Sequence, residues 1–205
     1  MAQQARAVQT RRRIVEAAAG VFDEYGYERA AVSEILRRAE VTKGALYFHF
    51  TSKEALAQAV MDEQTAPAVP PVRDSPLQTL IDVTQHLAYL LRTDSLVRAG
   101  ARLAVEGVFY GGPHPWGEWV VIAGGLLAEA KERGEVLPHV VPEESAEVVV
   151  AAFTGVQLVS EASTGRADLA ERVARMWQHF LPSIAPPATV GRMRAEGGAD
   201  RAGPG

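Results

Sequence analysis

The chain has 205 residues, 47% of them apolar and 22% charged, which suits one compact domain or a small domain joined to a larger one and is apolar enough to build a core. The absence of cysteine excludes disulfides and thiolate metal sites, and fits a reducing cytoplasm. No apolar run approaches the roughly 18 residues of a membrane span, and the N-terminus MAQQARAVQTRRR has no apolar stretch behind it of the kind a secretory signal needs.

The net charge of −4 speaks against general affinity for polyanions, but its distribution does not. Residues 1–15 carry Arg6, Arg11, Arg12 and Arg13 and no acid; up to Lys53 the balance is +3, which leaves −7 for the rest. A basic end on an acidic body is the pattern of a protein that grips a polyanion with one module.

In chain order, Ile14, Ala18, Val21, Phe22 and Tyr25 recur at helical spacing over 10–25, and Gly26 stands where a helix ends. Val32, Ile35, Leu36 and Ala39 mark a short second helix. After a break at Glu40-Val41, Thr42 caps a third that begins Lys43-Gly44-Ala45. Thr51-Ser52-Lys53-Glu54 is a capping box that opens a fourth, running to about residue 65. Three short helices with a tight turn between the second and third make a helix-turn-helix unit. Prolines 67, 70, 71 and 76 place a loop over 66–76. Helices follow over 77–91, 94–107, 115–133, 142–164 and 167–184, the third of these stopped by Gly134. Residues from 188 onward, rich in Gly, Ala and Arg, are expected to be a disordered tail. No strand pattern appears, so the fold class is all-α.

Enzyme motifs are absent: there is no G-x-S-x-G, no Walker A, no G-x-G-x-x-G and no H-E-x-x-H. The five histidines are scattered, with no pair at i, i+3 or i+4, so no metal and no cofactor is expected. The helix-turn-helix carries the chemistry instead. The second helix of such a unit enters the major groove of double-stranded DNA, where its N-terminal residues meet phosphates and base edges. Thr42 and Lys43 supply a hydroxyl and an ammonium for phosphate oxygens, and Gly44 lets the DNA backbone approach. Tyr47, one turn on, can reach a phosphate or a thymine methyl, while His49 and Lys53 flank the groove. The four consecutive positions Tyr47-Phe48-His49-Phe50 cannot all face a core on one helix, so some rings look outward; Leu46 and Phe50 are the core face.

Residues 10–56 resemble the DNA-binding domain of the TetR family of bacterial repressors. The resemblance rests on TRRRIVEAAAGVFDEYGY and VSEILRRAEVTKGALYFHFTSKEAL. Through TKGALYFHFTSKEALAQAV, GEVLPHV, FTGVQLVS and Trp119 the chain is further similar to the γ-butyrolactone receptors of filamentous actinobacteria. Two departures stand out. Ala31 takes the place of the usual Ser or Thr cap before the second helix, and Glu40 the place of a glycine in the turn.

The resemblance implies a helix-turn-helix domain at 1–53, a ligand-binding and dimerisation bundle at 54–187, and a tail at 188–205. It implies a homodimer, paired through its last two helices, that reads a near-palindromic operator and is released by a small hydrophobic inducer of γ-butyrolactone or butenolide type. Trp119, Gln64 and Thr154 would line the ligand site. Thr154, Gln157 and Ser160 interrupt an otherwise apolar helix, and either a pocket or the helix's own carbonyls supplies their partners. Rival readings are a related receptor for an antibiotic or other hydrophobic molecule and, from another class, a helical carrier or enzyme.

Overall fold

A computed structural model of the chain describes residues 2–64, 74–107 and 116–198. Residues 66–73 of the proline-rich loop lie outside the described set, and so does most of the connection between 107 and 116. The helices are α1 (Ala2–Arg29), α2 (Val32–Ala39), α3 (Lys43–His49), α4 (Lys53–Gln64), α5 (Pro76–Thr93), α6 (Ser95–Val105), α7 (Gly117–Glu132), α8 (Pro142–Thr164), α9 (Leu169–Ile184) and α10 (Pro187–Val190). There is no strand among the described residues.

The helices form two compact units, α1–α4 with α6 in the first and α5 with α7–α10 in the second. The sequence expectation puts the boundary at 53/54; by packing, α4 and α6 both belong with the helix-turn-helix. In the first unit Ile14, Val15, Ala18 and Phe22 of α1 are fully buried, with Ile35, Leu46, Phe50, Leu56 and Val60 closing the core. Both sequence departures have structural consequences. Ala31 is in the extended conformation of a cap but offers no side-chain hydrogen bond, so α2 starts uncapped. Glu40 adopts φ 53°, ψ 45°, the left-handed conformation a glycine would take without strain. Arg13 answers at that end of α2, its Nη2 donating to the Ala39 carbonyl at 2.6 Å.

In the second unit α5 is buried all the way round from Pro76 to Thr84. Its Thr84 hydroxyl accepts from the indole N–H of the fully buried Trp177 on α9 at 2.7 Å. α8 packs against α7 and α9 through Ala146, Val149 and Phe153. Its Val148, Leu158 and Val159 remain exposed. By length and composition alone this 23-residue helix is apolar enough to cross a membrane. Counting unbroken apolar runs misses it, because Thr154, Gln157 and Ser160 interrupt the stretch.

The tail expectation needs correction over 188–198. Pro187 starts a further turn of helix, Thr189 and Ala195 are buried, and the chain then lies along α5. Gln78 both donates to the Arg194 carbonyl (3.1 Å) and accepts from its amide (2.8 Å). Gln85 donates to the Ala195 carbonyl at 2.8 Å, and Asp82 accepts from the Gly198 amide at 2.7 Å. Three polar side chains on successive turns of α5 thus read the main chain of the segment, compensating its low apolar content.

Candidate nucleic-acid interface and ligand residues

α3 is only seven residues long and is placed by its two ends. Thr42 caps it, its hydroxyl accepting from the Ala45 amide at 3.2 Å. At the other end Phe50, buried to 5% exposure, anchors the exit, with the Arg11 guanidinium 5.2 Å from its ring centre. Leu46 fixes the inner face. The first amides of the helix have no partner within it, so its N-terminus carries partial positive charge.

Thr42, Lys43, Gly44 and Tyr47 all lie on the exposed side of this helix. The Lys43 ammonium stands 5.9 Å from the centre of the Tyr47 ring. A Cβ at Gly44 would meet nothing within 4 Å, so the chain's own packing does not demand glycine there. Phe48, given no role from sequence, is the most exposed large apolar residue of the described set at 81%, and its ring meets His49 edge-on at 5.1 Å. The signal was present in the sequence, since four aromatics around one helix cannot all be buried, but which ring turns outward depends on the register that Leu46 and Phe50 set. His49 is half-buried between Phe48 and Phe50. Lys53 is turned toward the protein: its ammonium lies 4.5 Å from the Tyr27 ring centre and 3.4 Å from the Glu28 carbonyl.

Three of the N-terminal arginines that supply the basic excess also have partners inside the unit. Arg11 pairs with Glu63 at 2.6 Å and Arg12 with Glu16 at 2.8 Å, while Arg13 serves α2. On α2, Arg37 and Arg38 hold the Glu34 carboxyl down at about 2. Arg38 also reaches Glu24 on α1 at 2.6 Å, fastening α2 to its neighbour.

Of the three residues assigned to a ligand, Gln64 belongs to the first unit and Trp119 and Thr154 to the second. Gln64 is buried at the end of α4, its carboxamide against α6 so closely that a Cβ at Gly100 would lie 2.1 Å from Oε1. Trp119 is half-buried on α7, which packs against the helix carrying Thr154. The Thr154 hydroxyl donates to the Val150 carbonyl at 2.8 Å. Ser160 and Gln157 find partners at the α8–α9 corner. Ser160 donates to Asp168 at 2.6 Å, and Gln157 accepts from Arg166 at 3.1 Å. The polar groups of α8 are therefore met by backbone and corner. Among the described residues no group of three or more His, Asp or Glu side chains could hold a metal.

Comparison with known proteins bears on this arrangement. Residues 14–60 match the family described as bacterial regulatory proteins, tetR family, and residues 74–186 match the tetracyclin repressor-like C-terminal domain. The chain is 61% identical over 202 residues to the A-factor receptor protein of Streptomyces griseus, covering 98% of this chain and 73% of that one. Among solved structures it is similar to TylP, a TetR regulator from Streptomyces fradiae (47% identity, TM-score 0.84, 93% of each chain). It is also similar to a gamma-butyrolactone receptor described as ArpA-like (34% identity, TM-score 0.74, 91% of this chain and 94% of that one). Both units are accounted for, the capped and outward-facing α3 in the first match and the helical bundle in the second: the chain belongs to the TetR family of bacterial regulatory proteins.

Proposed function

We propose that this protein is a dimeric, DNA-binding transcriptional repressor of the cytoplasm that a small apolar signal of γ-butyrolactone type releases from its operator, and that it is not an enzyme. The observation that carries the DNA half is the open face of α3. There a capped helix N-terminus, Lys43, an unencumbered Gly44, Tyr47 and Phe48 point away from the core together. Thr42, Lys43 and the first amides of α3 suit phosphate oxygens, while the Tyr47 and Phe48 rings suit base edges and thymine methyls. His49 and Lys53 stand at the margin of that face. Likeness to receptors named for A-factor and for a γ-butyrolactone supports the ligand class. Gln64, Trp119 and Thr154 are its proposed contacts. The exposed Val148, Leu158 and Val159 of α8 suit the interface with a second copy, which would set two recognition helices about one DNA turn apart.

The test is fluorescence anisotropy of the purified protein on the intergenic DNA beside its own gene, with and without a synthetic γ-butyrolactone. Tight binding abolished by the lactone supports the whole reading. Binding that the lactone leaves intact keeps the repressor and replaces the signal with another hydrophobic molecule. No salt-sensitive binding at all overturns the DNA reading in favour of a carrier.

A further inference from the structure

Gly26 bends α1, with φ 73° and ψ 172° inside what is otherwise one helix from Ala2 to Arg29. In an unbroken helix the Tyr27 amide would donate to the Asp23 carbonyl, four residues back. Here both groups turn to side chains of α6 and its C-cap. The Tyr27 amide donates to Glu106 Oε2 at 2.7 Å, and the Asp23 carbonyl accepts from Arg102 Nη1 at 2.7 Å. Arg102 and Glu106 are themselves paired at 2.8 Å, one turn apart on their own helix. A main-chain hydrogen bond of α1 is thus completed through an ion pair that another helix inserts, which is one of the few recognised causes of a sharp kink. Arg98 adds a second tie, to the Asp23 carboxylate at 2.8 Å.

Glycine is needed at the bend for its positive φ. A Cβ there would also lie 2.4 Å from Glu106 Oε1 and 2.7 Å from Arg102 Nη2, and so would push the tips of this ion pair aside. The residue after the bend is Tyr27, which touches the start of α4. Its ring lies under the Lys53 ammonium and stacks on Phe22. Only Phe50, Thr51 and Ser52 separate that start from the end of α3. At its other end α6 is joined to α5 by the single residue Asp94, and the passage between the two units at 92/93 is the one made wholly by described residues.

We propose that Arg102 and Glu106 are positioning residues for operator binding. By completing the bend they hold Tyr27, the head of α4 and so α3 in the arrangement that reads DNA. The proposal rests on the repressor reading, and it is separable from it by experiment.

The test uses the full-length protein and the intergenic DNA beside its own gene. Glu106→Ala removes the acceptor for the Tyr27 amide and should weaken DNA binding about tenfold, the scale of one charge-assisted hydrogen bond. Glu106→Gln keeps an acceptor oxygen and should recover most of that loss. The slope of log affinity against log salt should stay that of the wild type, because neither group meets phosphate. Arg102→Met combined with Glu106→Ala should lose no more than the worse single variant, as members of one unit do. A measurement without mutation guards against misfolding: the Tyr27 amide of the wild type should exchange its hydrogen more slowly once DNA is bound, by reciprocity of coupling. Glu106→Ala binding like the wild type, Ala and Gln variants losing equally, a flattened salt slope, or exchange at Tyr27 unmoved by DNA would each overturn the proposal. Failure of the wild type itself to bind would instead overturn the repressor reading.

Discussion

The Lys53 ammonium stands 4.5 Å from the centre of the Tyr27 ring and 3.4 Å from the Glu28 carbonyl, so this cation is already held by its own protein. Lys43 has only the edge of such a contact, at 5.9 Å from Tyr47. The two lysines should therefore part company in a salt titration. Lys43→Ala should weaken binding to all DNA sequences alike and flatten the salt slope by about one. Lys53→Ala should change that slope by less, and lower folding stability by about 0.5–1 kcal/mol through the lost cation–π contact. Equal slope changes would place both on phosphate.

α2 should be improvable at both ends. Ala31→Ser supplies the missing cap and should stabilise by about 1 kcal/mol. Glu40→Gly removes a left-handed side chain and should gain roughly another 1 kcal/mol; the Arg13–Glu40 contact it deletes is long, at 3.5 Å, and solvent-exposed. The two sites flank an eight-residue helix, far enough apart for the gains to add in urea unfolding. DNA affinity should stay within experimental error, since neither residue lies on the open face of α3.

The α8–α9 corner should register in acid. Hydrogen bonds from Ser160 and Thr164, with the Arg172 guanidinium beside them, hold the Asp168 carboxyl down at about 2 from an ordinary 3.8. A carboxyl depressed on folding contributes stability that is complete above its unfolded pKa and fades as pH falls through the folded one. The contribution should therefore be present above about pH 4 and lost between pH 4 and 2. Asp168→Asn should flatten the melting temperature against pH over that window; a curve parallel to the wild type would show the corner to be irrelevant to acid unfolding.

Trp177 offers a sharper test of the second unit. Its indole N–H donates to the Thr84 hydroxyl at 2.7 Å, and that hydroxyl donates in turn to the Ile81 carbonyl at 2.8 Å. Thr84→Val keeps the shape but strands a buried donor, and should cost about 1–3 kcal/mol in chemical unfolding. Thr84→Ser retains the hydroxyl and should recover much of that loss. If the Val variant melts with the wild type and the Ser variant below both, the methyl and not the hydrogen bond matters at this position.

What could be read in advance was whatever is written locally. Thr42 caps α3 as its hydroxyl and position suggest, Pro142 opens α8, and Gly165 closes it in a left-handed conformation. The cap of α4 falls on Ser52, whose hydroxyl accepts from the Ala55 amide at 3.1 Å, a shift of one residue within the expected box. The αL strain at Glu40 followed from the turn alone. What escaped depends on partners far along the chain. The helical run does break at Gly26, as its position suggests, but the turn from Tyr27 to Arg29 stays attached beyond the break because residues some 80 positions later complete the broken bond. The segment after Pro187 has too few apolar residues to announce itself; three polar side chains of α5 order it. Phe48 escaped for a different reason: an exposed aromatic is legible only once the register of its helix is known.

That last segment also sets a timetable. Its hydrogen bonds to Gln78, Asp82 and Gln85 span 110 to 116 positions of sequence. α5 leaves the ribosome early, but Gln78 and Asp82, nearly buried in the finished protein, must wait for almost all the remaining chain before they meet these partners. The helices of the first unit are all made by residue 105 and need no such delay. During synthesis the cell would thus hold a nascent protein whose reading head can fold while its sensor half is still incomplete, with the side of α5 kept for the chain's end open to water and to chaperones.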